Sequence, residues 1–164
     1  MRLPTRKSEK NNLTPVDVHI TAAKFDELTV TLARLKKIRP RAANEVKRLA
    51  EMGDFSENAA YQIAKGRLRG INSRLSETEY ALTHAVIIQP SSGAVVQLGH
   101  MVTVAVNGKE KTYRILGASE TCPERGIISH NSPIGAALIG RRAGETVSVL
   151  LNGKEIVYKV VSIA

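Results

Sequence analysis

Two carboxylates, Asp54 and Glu57, flank Ser56 in the stretch EMGDFSENAAY that runs from Glu51 to Tyr61. Paired carboxylates offer oxygen ligands to a hard cation such as Mg²⁺, which keeps several waters and borrows further ligands from a partner. The same residues also fit a purely structural pattern. Asp at an N-cap with Glu at the third position makes a capping box, and both charges favour a helix N-terminus. Two protein ligands alone would hold Mg²⁺ weakly. A metal role therefore requires a second macromolecule to complete the site.

The flanking sequence says what would position these acids. Thr21 reads as an N-cap. Apolar residues then recur at Phe25, Leu28, Leu32, Leu35, Ile38, Ala42, Val46 and Leu49, mainly at three-four spacing, and Gly53 reads as a stop. Pro40 lies inside this run and is expected to kink the helix or interrupt its hydrogen bonds. A second helix is predicted from near Ser56 to about Thr83. Its seam of Tyr61, Ala64, Leu68, Ile71, Leu75, Thr78 and Leu82 alternates steps of three and four, a heptad pattern. Gly66 and Gly70 weaken that helix, so packing against a partner must compensate. The two segments predict an antiparallel coiled-coil hairpin about 45 Å long, at about 1.5 Å per residue, with the acidic residues at a tip near 53–58. Such a rod has no room for a large pocket. It must act at its tip or along its faces.

Basic residues crowd that rod. Arg34, Lys36, Lys37, Arg39, Arg41, Lys47 and Arg48 are opposed only by Glu45, and Lys65, Arg67, Arg69 and Arg74 by no acid. If the hairpin turns near Phe55, Lys47 faces about Ile63 and Arg41 faces about Arg69, so the two runs lie level behind the tip. Two level runs predict contact with a phosphate backbone. The formal net charge of +9 points the same way, to a polyanionic partner, nucleic acid first, RNA or DNA.

The second half changes period. MVTVAVNGKEKTYRIL and ETVSVLLNGKEIVYKVVSI alternate apolar and polar residues and are rich in β-branched types. Asn107-Gly108 and Asn152-Gly153 predict two tight hairpins, since both turn positions need positive φ. Ser132 as N-cap, Pro133 at the first helical position and Gly140 past the end mark a short helix. The expected fold class is α+β: a helical hairpin over 18–88, then an antiparallel sheet with one short helix over 89–164. Gln89–Ala94 reads as a linker. Residues 1–17 read as a basic, disordered extension.

Composition excludes several alternatives. Cys122 is the only cysteine, so no internal disulfide forms, which fits a reducing, cytoplasmic setting. No apolar run reaches membrane-spanning length, and no apolar core follows the basic N-terminus, so neither a membrane nor a secretory signal is expected. There are four tyrosines, two phenylalanines and no tryptophan, which argues against an aromatic ligand pocket, including that of a prolyl isomerase. His19, His84, His100 and His130 show no ligand spacing, and they read as structural or surface residues. Cys122 reads as incidental.

The stretch GDFSENAAY resembles the tip motif of the bacterial Gre transcript cleavage factors, GreA and GreB. ISHNSPIGAALIGRRAGETVSV resembles that family's C-terminal signature. The resemblance covers about residues 18–164 and implies an N-terminal coiled-coil hairpin with an FKBP-like C-terminal domain. It implies that the second domain docks on bacterial RNA polymerase at the rim of the secondary channel, with Ser132, Pro133 and Ile134 as docking candidates. The hairpin would reach the active centre of a backtracked complex. Asp54 and Glu57 would there help hold a Mg²⁺ shared with the polymerase and not bound tightly by the free protein, and Ser56 would orient the water or the RNA. Lys65, Arg67 and Arg69, with Arg41, Lys47 and Arg48, would contact the nascent RNA 3′ segment. Ser56 and YQIAKGRLR resemble the GreB branch, although Gly66 stands where that branch tends to have a second Lys. The cleavage would be the polymerase's own, so the chain is expected to be a monomeric factor and not an enzyme. The alternative is a channel-binding inhibitor of the same fold.

Overall fold

A computed structural model describes residues 17–52, 59–89 and 93–164. The 1–16 extension, the 53–58 tip and the centre of the linker lie outside the described residues.

Helix α1 spans Ala22–Glu51 and α2 spans Ala59–His84. Thr21 caps α1 as expected: its hydroxyl accepts from the Lys24 N–H at 3.2 Å. Helical structure continues without a break through Pro40, which is exposed. Its missing N–H withdraws one helical donor from the carbonyl of Lys36, itself an exposed residue. The seam is narrow. Leu35 and Ala42 on α1 meet Ile71 on α2, flanked by Leu68 and Leu75. Along α2 the buried positions Ala64, Ile71 and Thr78 recur at the heptad interval. The Arg39 Nε donates to Asn72 Oδ1 at 2.8 Å across the pair, and Lys36 meets Glu79 at 2.9 Å.

The C-terminal half forms a five-stranded sheet in the order β5-β4-β3-β7-β6. Its strands are β3 (Met101–Val106), β4 (Lys109–Leu116), β5 (Ile127–Ser129), β6 (Thr146–Leu151) and β7 (Lys154–Ile163). The β3–β4 and β6–β7 hairpins turn at the expected Asn-Gly pairs, where Asn107 and Asn152 adopt φ of 50° and 51°. Four strands are antiparallel as expected. The edge strand β5 adds parallel to β4, so the sheet is mixed. The register between β3 and β7 shifts beside Thr103 and Val104. The extra residue on β7, Val161, breaks its alternation: Val161 and Ser162 are both exposed after the buried Val160. Helix α3 (Pro133–Leu138), capped by Ser132, places Leu138 in the core with Val102, Val104, Ile115, Val147 and Val160.

A joint connects the two halves. Strand β1 (His19–Ile20) enters α1, and β2 (Val86–Ile87) leaves α2; they pair in parallel. The Val86 N–H donates to Val18 O at 2.8 Å, and the Ile88 N–H to Ile20 O at 2.9 Å, which closes the root of the hairpin. The root then docks on a 3₁₀ turn, Ala118–Glu120. The Glu120 carboxylate accepts from the Thr21 N–H at 2.7 Å and from the Thr21 hydroxyl at 2.6 Å. One residue thus caps α1 and ties it to the sheet, and the Glu120 charge also sits at the favourable end of the helix dipole. The approach is close enough that a Cβ on Gly117 would collide with the His19 carbonyl oxygen.

Candidate functional site

The basic side chains occupy the faces that the narrow seam leaves outside. Arg41, Lys47, Arg48, Lys65, Arg67 and Arg69 are all exposed. Among the described residues, Arg41, Arg67 and Arg69 form no ion pair with an acid. Lys47 approaches Glu51 at 3.9 Å within α1, Arg48 approaches the Met52 sulfur at 3.6 Å, and the Lys65 ammonium sits over the Tyr61 ring at 5.7 Å. The Arg39–Asn72 bond sets a helix register that places Arg41 and Arg69 at similar depth. In one cleft, Arg34 from α1 and Arg67 and Arg74 from α2 surround Leu35, Ile38, Gly70 and Ile71. A Cβ at Gly70 would meet nothing within 4 Å, so a side chain there would fill space the cleft leaves open. Arg34 and Arg74 belong to the basic runs of the sequence, but only the helix pairing shows that they share a groove with Arg67. Three guanidiniums around one groove can bind phosphate oxygens in bidentate fashion.

Asp54, Ser56 and Glu57 lie within 53–58, outside the described residues. The structure places the two helix ends that flank them, Met52 and Ala59, at the end of the hairpin remote from the β1–β2 root. The docking candidates are placed in full. The Ser132 hydroxyl is committed locally: it donates to Ser129 O at 2.6 Å and accepts from the Gly135 N–H at 3.1 Å. Ile134 packs against the sheet core, so of the three only Pro133 is exposed.

The histidine reading requires a correction. His84 stacks on Tyr80, and His100 is buried with its Nδ1 accepting from the Gln97 N–H at 3.3 Å, so these two are structural as expected. His19 and His130 are not isolated. Asp17 stands between them, 3.1 Å from His19 Nδ1 and 3.3 Å from His130 Nδ1. Burial pushes the Asp17 carboxyl up, but the Ala118 and His19 N–H groups, the His19 ring and the nearby His130 outweigh it and hold it below the ordinary carboxylate value. No local signal marks this trio, because His130 comes from the other half of the chain. Cys122 does behave as expected: it is half-buried and pairs through its backbone with Ile127.

The exposed basic hairpin on a capped mixed sheet agrees with the comparisons with known proteins. Residues 18–87 match the model described as "Transcription elongation factor, N-terminal", and residues 90–164 match "Transcription elongation factor, GreA/GreB, C-term". The chain belongs to the GreA/GreB transcription elongation factor family. It is 39% identical over 150 residues to the transcription elongation factor GreA of Macrococcus caseolyticus, covering 88% of this chain and 95% of the relative. The GreA of Thermomicrobium roseum is 42% identical over 118 residues, 70% of this chain and 76% of that one. Among solved structures, GreA factor homolog 1 (Gfh1) of Thermus thermophilus aligns with a TM-score of 0.43 and 27% identity, over 90% of this chain and 99% of that one. A likeness at that score carries no weight beside the family match. As a Gre-family factor the chain acts in transcription elongation: it binds RNA polymerase and stimulates the polymerase's cleavage of backtracked RNA, and it is not itself an enzyme. Among the described residues no helix is long and apolar enough to cross a membrane.

Proposed function

We propose that the hairpin acts as a monomeric rod that enters the secondary channel of a cytoplasmic bacterial RNA polymerase and delivers Asp54 and Glu57 to its active centre. The Arg34–Arg67–Arg74 cleft carries this reading, because it gives the rod a phosphate-binding surface formed jointly by both helices. Two carboxylates are hard oxygen donors, which fits Mg²⁺ and does not fit a softer ion. Asp54 and Glu57 would hold that ion jointly with the polymerase. When bound, it supplies Lewis-acid charge for phosphodiester hydrolysis.

The chain's own residues do the rest. Ser56, which we read as a GreB-like feature, donates or accepts a hydrogen bond to orient the water or the RNA. Lys65, Arg67 and Arg69, with Arg41, Lys47 and Arg48, neutralise phosphates of the extruded nascent RNA 3′ segment. On the sheet, the α3 N-terminus from Ser132 to Ile134 belongs to the docking surface. There Ser132 and Ile134 support the exposed Pro133 and do not reach out themselves.

The test is transcript cleavage in a stalled, backtracked polymerase complex with Mg²⁺. With the intact protein the polymerase should cleave its transcript rapidly. Asp54→Ala should bind polymerase as well but lose about 100-fold in rate, about 2.7 kcal/mol of transition-state stabilisation. Equal rates would remove the metal-holding role. Binding without cleavage by the intact protein would make it a channel-blocking inhibitor.

A further inference from the structure

Asp17, His19 and His130 each offer a ligand atom, and these atoms all lie within 4.8 Å of one another. The three residues come from both sides of the joint. Asp17 and His19 flank the entry to β1, and His130 lies in the loop between β5 and α3. Each is held before any ligand arrives. Asp17 Oδ2 accepts from the Ala118 N–H at 2.6 Å, and Asp17 Oδ1 accepts from the His19 N–H at 3.1 Å. The His130 backbone N–H donates to Leu116 O at 3.0 Å, and its ring meets the His19 ring edge-on at 5.5 Å. Gly117 allows this approach, since a Cβ there would also come within 3.3 Å of Asp17 Oδ2. The Asp17 side chain is 4% exposed, whereas that of His130 is 20% and that of His19 39% exposed. The carboxylate therefore forms the floor of the site, and the His19 ring forms an edge open to solvent.

We propose that Asp17, His19 and His130 form a site for a divalent transition-metal ion that links the root of the hairpin to the C-terminal sheet. Two imidazole nitrogens and one carboxylate oxygen suit Zn²⁺, Co²⁺ or Ni²⁺, and leave coordination positions for water. Mg²⁺ prefers an all-oxygen shell and is a poor match. On binding, the ion takes a lone pair from each ring, and a hydrogen held between a ligating nitrogen and Asp17, or between His130 Nδ1 and Leu116 O at 3.4 Å, is released to water. It would also connect segments from the two halves of the chain, and so restrict movement of the hairpin relative to the sheet. This site is separate from the tip acids.

The untagged full-length chain should bind one equivalent of Zn²⁺ by calorimetry, and Co²⁺ should give visible absorption bands from nitrogen ligation. His19→Gln and His130→Gln each remove a ligand nitrogen and should each weaken binding by at least about 100-fold, the upper end of what losing a mere outer-shell partner costs. Asp54→Ala/Glu57→Ala and Cys122→Ser should leave binding unchanged. Ring resonances of His19 and His130 in the unmodified chain should shift on adding Zn²⁺ while those of His84 stay, a readout that needs no variant to fold. Absence of stoichiometric Zn²⁺ binding would overturn the site. So would binding that survives both histidine substitutions, or binding lost with the tip acids or Cys122.

Discussion

The hairpin and the sheet bury their apolar residues in different ways. The hairpin buries single residues along a line: Leu35 and Ala42 on one helix, and Ala64, Ile71 and Thr78 on the other. The sheet buries a cluster, in which Val96, Val102, Val104, Ile115, Leu138 and Val160 are almost wholly shielded. A pair of helices has no interior beyond its seam. Every position off the seam reaches water, so basic residues can crowd both helices without desolvation. The sheet can sacrifice little of its inner face to charge. The rod therefore exposes its charge along its faces, and the larger closed core lies in the sheet.

The largest expected effect separates these two modes of burial. Leu138→Ala, in the closed core, should cost about 4 kcal/mol, whereas Leu35→Ala on the seam should cost about 2 kcal/mol, because a helix pair can collapse around a cavity. Urea unfolding of each variant measures the difference, and equal losses would mean that the hairpin is packed like a core. Next comes the joint. Gly117→Ala should cost about 1–3 kcal/mol, since the added methyl must push His19 away, and amide exchange should accelerate in β1 and β2 before it does in β6. Thr21→Val removes both the cap of α1 and the hydroxyl donor to Glu120, and should cost about 1 kcal/mol. If Glu120→Ala makes the Thr21 substitution no cheaper, the two residues act independently.

The smallest stability effect belongs to the basic cleft. Arg34→Ala, Arg67→Ala and Arg74→Ala should each change stability by less than about 0.5 kcal/mol. In a cleavage assay they should nevertheless weaken action on long backtracked RNAs and flatten its salt dependence. An equal loss at every RNA length would argue against a phosphate role.

Much of this architecture could be read from short windows of sequence. Thr21, the two Asn-Gly pairs, the Ser132-Pro133 start and the heptad seam depend on neighbours a few residues away, so their physics is local. Other features had no such signal. The β1–β2 pairing joins two-residue strands too short to show alternation. The parallel edge strand β5 is three residues long. The Thr21–Glu120 tie and the Asp17–His19–His130 cluster join the two halves of the chain.

The sequence by itself determined the two kinds of element and their caps and turns, because backbone propensity and hydrophobic period act over one or two turns of chain; the family was legible only through the resemblance of the stretches GDFSENAAY and ISHNSPIGAALIGRRAGETVSV. Only the tertiary structure decided which arginines share a groove and which histidines share a carboxylate. Those juxtapositions depend on helix register and on a close approach that Gly117 permits, and neither is encoded near the residues it brings together.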